Sequence, residues 1–401
     1  MTDRLEPYFA PIGGSVSTAR SGTSPPRHAD HRTVEVLSTL RGWAWYSASA
    51  ASGCRAAGRG STTLLGFAMG HPATTARLPG GLKSAWLHAC LLILTALVLG
   101  GCRPEPPPVL RIGTNVWPGY EPLYLARHRG YFDSTIRLVE YSSASQVLGA
   151  YRNGAIEAAA LTLDEALVLV AQGHSVRVLL VMDGSRGGDV LLGGPRVRAW
   201  SDVKGRRVGV EESAVGAYLL TRALQLHGLT NADIHIVSVP VDEHERAFRE
   251  GRVDAVVTFE PVRTALLAAG ATELFSSADI PDEILDVLVV RGDRVDALRG
   301  QLDLLLRGWF RALDDIKRTP HDAATVMAKR LVLDADQVLM SYRGVWLPSP
   351  TENRALLAGE PPTLDAAIRR LSSFMVDHRL LQHPVEPAGL VDPRPLLRIA
   401  P

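Results

Sequence analysis

The sequence predicts an α/β protein made of two similar lobes, each built on a doubly wound parallel sheet. Three observations support this prediction: an internal duplication, an alternation of short apolar runs with helical patterns, and a composition suited to a large core. The chain has 401 residues, of which 46% are hydrophobic and 21% are charged. A globular protein of two or three domains is therefore expected.

The duplication appears when the chain is aligned with itself at a displacement of roughly a hundred residues. Three pairs of matching segments occur in the same order: 111–113 with 207–209, 136–139 with 234–237, and 151–158 with 248–255. Ordered matches of this kind indicate two copies of one folding unit. Glu157 and Asp254 repeat between the copies within predicted strands, which favours a structural role for both.

Each copy alternates predicted strands with predicted helices. The runs at 155–161 and 253–258 are short and apolar, which is typical of parallel strands buried on both faces. Around 219–227 the apolar residues fall on one helical face, and Gly228 follows as a stop signal. This alternation predicts a parallel doubly wound sheet in each lobe.

The remaining segments predict a hinge and a set of C-terminal helices. The runs at 176–182 and 190–192 lead out of the first lobe, and the run at 284–290 leads back into it. Four further helices are expected around the first lobe: 295–318, 322–331, 335–342 and 364–378. Breaks between them are predicted at four sites: Pro320, Pro348, Pro350 and the pair Pro361-Pro362.

An apolar segment with basic residues before it precedes this body. Arg77 and Lys83 come before the apolar run 91–99, which is short for the ~20 residues that a spanning helix needs. This layout predicts a signal peptide that begins near Met69, where translation is expected to start. A basic tail before an uncleaved anchor is the alternative. Residues 1–68 lack any sustained period and are expected to be disordered or mis-assigned.

The end of this segment, Leu99-Gly100-Gly101-Cys102, resembles the bacterial lipobox. That resemblance implies a lipid anchor on Cys102, which becomes the first residue of the mature protein. An incidental cysteine in a plain signal peptide or anchor helix is the alternative. The other two cysteines, Cys54 and Cys90, precede the cleavage point, so no internal disulfide is expected. The proline-rich stretch after Cys102 predicts a stiff tether.

These features together predict six segments along the chain. They are a disordered or mis-assigned extension (1–68), a signal peptide with lipobox (69–101), a tether (102–108), lobe 1 (109–193), lobe 2 (194–283), and a return strand with the C-terminal helices of lobe 1 (284–401).

Several segments of the body resemble the periplasmic solute-binding proteins of the nitrate, sulfonate, taurine and thiamine-precursor group. The resembling segments are 111–114, 118–126, 130–132, 201–205 and 251–255. The resemblance implies the type II periplasmic-binding-protein fold, with two lobes, a hinge and C-terminal helices. It further implies a monomer in the periplasm that captures a small-molecule ligand between its lobes and presents it to an ABC permease and its ATPase.

Ligands of open α/β sheets bind beyond the carboxyl ends of the strands. The candidate ligand-binding residues in the first lobe are therefore Asn115, Trp117, Tyr120, Glu121, Thr162, Asp164 and Asp183. Those in the second lobe are Glu211, Ser213, Gly216, Tyr218, Thr258 and Glu260.

The residue types in this set indicate a class of ligand. Trp117 and Tyr120 offer flat faces for a planar or cationic ligand, although Trp117 has the alternative of packing the lobe edge. The start of the helix at Ser213 favours an acceptor or anion, or is a plain N-cap. Glu121 and Glu260 have the alternative of complementing a helix start.

Carboxylates outnumber basic residues near the expected cleft, where the nearest basic groups are Arg186, Arg263 and His244. This excess favours a nitrogen-bearing solute of the pyrimidine type, or a neutral polar solute, over nitrate, sulfonate or taurine.

Two other classes of function are alternatives to solute transport: an enzyme and a sensor. The sequence lacks a Gly-x-Ser-x-Gly elbow, a Cys-x-x-Cys pair and a phosphate loop, and no lysine is expected in the cleft, as a synthase with a lysine-bound pyridoxal cofactor requires. No catalytic residue, cofactor or metal is therefore expected. A sensor that reports to a separate signalling partner is the other alternative. With a formal net charge of +1 and no basic stripe, a nucleic-acid partner is not expected.

Overall fold

The computed structural model describes residues 107–211 and 214–399, together with His88. The predicted extension at 1–68, the signal peptide apart from His88, the lipid-anchor Cys102 and the candidate Ser213 lie outside the described residues. Within the described part of the chain, none of the helices combines the length and apolar character needed to cross a bilayer.

Eleven strands lie within the described residues: β1 (Leu110–Thr114), β2 (Ile136–Glu140), β3 (Ala158–Thr162), β4 (Val176–Ser185), β5 (Asp189–Gly193), β6 (Arg207–Val210), β7 (His235–Ser238), β8 (Ala255–Phe259), β9 (Thr272–Ser276), β10 (Leu285–Arg291) and β11 (Val345–Trp346). The same residues form twelve α-helices: α1 (Glu121–His128), α2 (Ala144–Arg152), α3 (Leu163–Ala171), α4 (Ala214–Leu226), α5 (His244–Arg249), α6 (Val262–Ala268), α7 (Arg299–Arg318), α8 (Pro320–Leu331), α9 (Ala335–Ser341), α10 (Pro350–Ala358), α11 (Thr363–Asp377) and α12 (Arg394–Arg398).

Two sheets with matching strand order confirm the predicted two-lobed fold. The first sheet has the order β11-β4-β10-β3-β1-β2 and the second has the order β7-β6-β8-β5-β9. In each sheet three neighbouring strands are parallel and the next strand is antiparallel to them: β10 in the first sheet and β5 in the second. The prediction of purely parallel sheets was therefore wrong. Each antiparallel strand enters its sheet just after the chain has crossed from the other lobe, which reverses its direction.

The chain crosses between the sheets at 186–188 and again at 277–284, which gives the predicted two-segment hinge. The first crossing comes earlier than the predicted end of lobe 1 at residue 193, because β5 pairs with β8 and β9 in the second sheet. The two segments are joined where the Ser185 and Ser277 hydroxyls lie 2.7 Å apart and the Gly187 amide donates to Ser277 Oγ at 2.6 Å. Gly187 has a φ of 117°, a conformation that favours glycine.

The C-terminal helices pack around the first sheet, as predicted. Helix α7 packs against α1 and α8, while α10 and α12 pack against β4. Helix α10 was missed, because Pro350 was interpreted as a break. The proline instead occupies the first turn, where its missing amide costs no hydrogen bond. A capping box precedes it: the Glu352 amide donates to Ser349 Oγ at 3.2 Å, and the Ser349 amide donates to Glu352 Oε2 at 2.7 Å.

Equivalent ion pairs lie at the amino-terminal edge of each sheet. Arg111 of β1 donates through its amide (2.8 Å) and Nε (3.0 Å) to Glu157 Oε2, just before β3. Arg207 of β6 donates in the same way to Asp254 Oδ2, just before β8, at 3.1 and 3.0 Å. These contacts bridge neighbouring strands in both lobes, as the predicted structural role of Glu157 and Asp254 requires.

Candidate functional site

The carboxyl edges of the parallel strands in the two sheets line a shared space, the interlobe gap. It consists of two small adjoining cavities that share Asp189, Val215 and Phe259. The larger is lined by Asn115, Trp117, Tyr120, Ala144, Thr162, Glu165, Asp189, Val215, Phe259 and Asp286. The smaller is lined by Asp189, Glu211, Val215, Gly216, Leu219, His244, Val257 and Phe259. Both sheets therefore contribute side chains to one small site.

Trp117 connects the two lobes across this gap. Its indole Nε1 donates to Asp183 Oδ1 at 3.1 Å in the first lobe. Its ring meets the ring of Phe259, from the second lobe, edge to face with centroids 5.9 Å apart. Gly119 allows this approach, because a Cβ on it would lie 2.0 Å from Asp183 Oδ2 and 2.4 Å from Trp117 Nε1. The aromatic side chain that the sequence proposed as a ligand platform thus forms a wall of the gap.

A pair of buried aspartates lies on neighbouring strands of the first sheet. Asp183 of β4 and Asp286 of β10 are directly opposite each other in register, and the Tyr120 hydroxyl donates to Asp286. Burial raises the pKa of Asp286 to about 6. Burial and the neighbouring Asp286 carboxyl raise the pKa of Asp183 well above its usual range. One proton shared by this pair relieves the repulsion between two carboxylates.

Two more carboxyls lie at the start of α3. Asp164 and Glu165 are 3% and 1% exposed, and Glu165 Oε2 accepts a hydrogen bond from the Thr162 amide at 3.1 Å, whereas Glu165 Oε1 has no partner in the described protein. Burial raises the pKa of Asp164 to about 6, and burial together with the Asp164 carboxyl raises that of Glu165 well above its usual range. Burial therefore favours the protonated form of both carboxyls.

The second lobe adds Asp189 and Glu211 to the gap. Asp189 begins β5 and lies opposite Phe259, and burial raises its pKa to about 7. Glu211 follows β6, is 7% exposed and makes no hydrogen bond or ion pair within the described residues. Gly216 lies beside it, since a Cβ at that position would be 2.8 Å from the Glu211 carbonyl oxygen. The two acidic side chains thus face the first lobe's carboxyls from the opposite wall.

His244 is the one residue with a basic side chain among those that line the two cavities. Its Nε2 lies 3.0 Å from the Val239 carbonyl oxygen, and its Nδ1 lies 3.1 Å from the Thr258 hydroxyl. Nε2 therefore donates to the carbonyl, and in the neutral imidazole Nδ1 accepts from Thr258. Burial lowers the pKa of His244 to about 4. The imidazole therefore supplies no positive charge to the gap at neutral pH.

Three of the predicted site residues lie outside the gap. The Glu121 carboxylate accepts from Arg330 Nε of helix α8 at 2.9 Å. Tyr218 donates to Glu283 at 2.6 Å and lines a separate cavity near the hinge. Glu260 accepts from the Thr264 amide at 3.1 Å and from Arg263 Nη1 at 3.0 Å.

The remaining candidates are brought together at the gap or beside it. Asn115, Trp117, Tyr120, Thr162, Glu211 and Gly216 line the cavities, whereas Asp164, Asp183 and Thr258 contact or adjoin lining residues.

Sequence reasoning missed four acidic or aromatic side chains that line the gap: Glu165, Asp189, Phe259 and Asp286. His244 was expected near the cleft as a basic group, and it lines the smaller cavity. Asp189 is the first residue and Asp286 the second residue of an antiparallel strand, so both lie at the edge where the parallel strands end. A search restricted to residues after parallel strands cannot find them. An aspartate that begins an apolar run immediately after a crossing segment is the signal that points to such positions. Among the described residues, no cluster of His, Cys, Asp and Glu has an arrangement suited to a metal ion.

The NMT1-like family matches residues 103–332, and the chain belongs to this family. A curated relative, the putative aliphatic sulfonates-binding protein of Escherichia coli (strain K12), is 26% identical over 195 residues. That match covers 47% of this chain and 60% of the relative, so the chain spans less than two thirds of the relative's length.

Two solved structures have similar folds. The alkanesulfonate-binding protein of Xanthomonas axonopodis pv. citri, bound to MOPS, superposes with a TM-score of 0.62 at 20% identity, over 72% of this chain and 99% of that protein. A zinc-bound ligand-binding component of an ABC-type import system from Staphylococcus aureus gives 0.61 at 15% identity, over 73% and 99%. The fold is therefore that of the periplasmic binding proteins.

Proposed function

We propose that this chain is the solute-binding component of an ABC importer, which captures a small polar solute between its two lobes and presents it to a permease and its ATPase. One observation carries the proposal: residues at the carboxyl edges of both sheets line the same gap. The hinge of two crossing segments supplies a means of closure. Family membership and the names of similar proteins support the same role.

The ligand we propose is a nitrogen-bearing solute, and a pyrimidine-type compound is one example. Carboxyl groups accept hydrogen bonds from amino groups when ionised and donate one when protonated, so they suit amines and ring nitrogens. The sulfonate named for the curated relative is a less suitable ligand here, because its negative charge would lie among Glu165, Asp189 and Asp286 without a cationic partner. Substitution of one of these acids by arginine would favour binding of a sulfonate instead.

The proposal includes export to the periplasm and a lipid anchor on Cys102. Support comes from the sequence alone, through the signal-peptide layout and the lipobox resemblance. Metabolic labelling with a radioactive fatty acid tests it: the full chain incorporates label and Cys102→Ser does not. Label on both proteins, or on neither, would contradict the anchor without affecting the binding role.

We propose that the chain binds its solute without chemically changing it. The curated relative is named as a binding protein and a solved structure of similar fold as a ligand-binding component of an import system, which supports a binding role. A sensor for a separate signalling partner uses the same binding step. Deletion of the cognate permease distinguishes the two roles, because uptake of the solute stops only if the chain serves transport.

A thermal-shift screen of the full chain with pyrimidines, amines, nitrate and sulfonates tests the binding role, because a ligand specific for the folded state raises the melting temperature. Small-angle scattering then measures closure, which we expect as a smaller radius of gyration with the bound solute. The double variant Trp117→Ala with Glu211→Ala should lose this response. Unchanged affinity in that variant would show that the solute binds elsewhere.

A further inference from the structure

The gap is charged in an unusual way, because its acids have no basic partners. Six acidic side chains from both lobes line or adjoin it: Asp164, Glu165, Asp183, Asp189, Glu211 and Asp286. None of them forms an ion pair with lysine, arginine or histidine within the described residues. Buried carboxylates without a counter-charge are costly, so their concentration in a cavity indicates that a positive charge belongs there.

Buried acids elsewhere in the described chain do have partners. Glu121 pairs with Arg330, Glu157 with Arg111, Asp254 with Arg207 and Asp392 with Arg394. Each of these four acids thus has a cationic partner, and only in Glu121 does burial outweigh that partner and raise the pKa, to about 7. The unpaired set is confined to the space between the lobes.

Four of the six carboxyls have an oxygen that no donor in the described protein satisfies, namely Asp164, Glu165, Asp183 and Glu211, and two of these residues line the cavities. Glu165 is 1% exposed, lines the larger cavity and has an unpartnered Oε1, while Glu211 is 7% exposed, lines the smaller cavity and has an unpartnered Oε2. Such atoms point to a missing donor. They come from opposite lobes, so one ligand that reaches both would hold the lobes together.

The walls of the gap favour an organic cation over a bare metal ion. Trp117 and Phe259 present aromatic rings beside the acids, and Tyr120 adds a third ring. Aromatic faces attract ammonium and guanidinium groups and pack against their carbon substituents. The described acids are not arranged as a metal-binding cluster.

We infer that the interlobe gap binds a small organic cation, and that the cation enters in exchange for protons that the buried carboxyls hold when the gap is free of ligand. This inference rests on the proposed binding function and specifies its substrate class. Exchange keeps charge balanced: a carboxyl releases its proton to solvent as the cation supplies the positive charge.

The groups that face one another in this exchange come from both lobes. They are Tyr120 before α1, Asp164 and Glu165 of α3, Asp183 of β4, Asp189 of β5, Glu211 after β6, His244 of α5 and Asp286 of β10. Glu260, which is paired with Arg263, lies outside the gap near Asp189. The pKa of Asp164, Asp189 and Asp286 lies at about 6, 7 and 6 because of burial. Their deprotonation therefore falls in the range where binding is measured.

Cationic probes that stay fully charged between about pH 5.5 and pH 8 test the inference, because their own protonation does not change over that range. We propose calorimetry on the full chain with choline, N-methylpyridinium, guanidinium and putrescine. Three comparison arms are the uncharged tert-butyl analogue of choline, ethanesulfonate and Zn²⁺. Measurements in buffers of different ionisation enthalpy count the protons released on binding.

At least one organic cation should bind with release of about one proton or more, and its affinity should rise between about pH 5.5 and pH 8, by up to tenfold per pH unit for each proton released. The paired substitutions Glu165→Gln and Asp189→Asn should weaken binding by about thirtyfold or more. Glu245→Gln, on the exposed face of α5, is the matched control and should leave affinity unchanged.

A raised melting temperature of the unliganded Glu165→Gln, Asp189→Asn protein would show that it folds, because the substitution removes two uncompensated buried acids. Tighter binding of ethanesulfonate, Zn²⁺ or the tert-butyl analogue than of every cation would overturn the cation assignment and leave the binding function intact. Proton uptake on binding would also overturn it. Failure of all arms, together with failure of the wider solute screen, would count against the binding function itself.

Discussion

The two edges of each sheet carry similar acids in opposite electrostatic settings. At the amino-terminal edge, Glu157 and Asp254 accept hydrogen bonds from Arg111 and Arg207. The side-chain hydrogen bond from Arg207 lowers the pKa of Asp254, and in Glu157 the hydrogen bonds from Arg111 outweigh burial, so that its pKa is lowered too. At the carboxyl edge, buried acids such as Asp189 lack such partners and have raised pKa values. The acids of one edge are paired within the fold, and those of the other are not.

The largest expected effect comes from the paired edge. Asp254→Ala removes the acceptor of the Arg207 amide and guanidinium, so we expect the free energy of unfolding to fall by about 2–3 kcal/mol. Urea unfolding followed by circular dichroism measures the change. Unaltered stability would contradict the assigned structural role of the pair, and with it the contrast between the two edges.

The pH dependence of stability tests the unpaired edge. Asp164, Asp189 and Asp286 have folded pKa values above those of the unfolded chain, so their stabilisation is complete below about pH 4 and is lost as the pH rises through about 6 to 7. His244 opposes this trend below about pH 6.5, because its folded pKa of about 4 is lowered. The acids outnumber it, so the melting temperature of the unliganded chain should fall from about pH 5 to pH 8 by several degrees. A rise over that range would contradict the raised pKa values.

A single substitution in the gap should stabilise the protein. Asp183→Asn keeps an oxygen that accepts from Trp117 Nε1 and removes the repulsion with Asp286. We expect a melting temperature higher by about 2–4 °C at pH 8, where the acids are most strained, and a smaller gain at pH 5. Destabilisation at both pH values would indicate that the Asp183 carboxylate has an unrecognised partner.

The smallest effect is expected at an exposed pair. In helix α5, Arg249 Nε lies 2.8 Å from Glu245 Oε1, and about half of each side chain is exposed. Glu245→Ala should change the free energy of unfolding by less than about 0.5 kcal/mol, since solvent screens such pairs. If Glu245→Ala lowered the free energy of unfolding as much as Asp254→Ala, burial would not explain why the two paired acids differ.

The sequence predicted the architecture because the duplication is recorded in short motifs. Arg111-Ile112-Gly113 and Arg207-Val208-Gly209 begin equivalent strands β1 and β6, and the family resemblance gave the two-lobed fold. Strand direction was not predictable in the same way: an apolar run such as 189–193 has the same pattern in parallel and antiparallel pairing. The prediction that lobe 1 ends at residue 193 and the prediction of parallel sheets were wrong for that reason.

The site was predicted only in part, because contacts between distant parts of the chain are not visible in local sequence. The rule that ligands lie beyond the carboxyl ends of strands located Trp117, Tyr120 and Glu211 at the gap. It also selected Glu121, whose partner Arg330 lies 209 residues away in the chain and cannot be inferred from local sequence. The excess of acid was recognised, but its confinement to one cavity is a property of the folded chain.

The crystal structure of the full chain with the tightest-binding organic cation is the most direct test. We expect the cationic group within about 3.2 Å of carboxyl oxygens from both lobes, including Glu165 and Asp189, with its carbon substituents against Trp117. A cation held instead in the cavity beside Tyr218 and Arg370, with the six acids of the gap still lacking a counter-charge, would contradict the account.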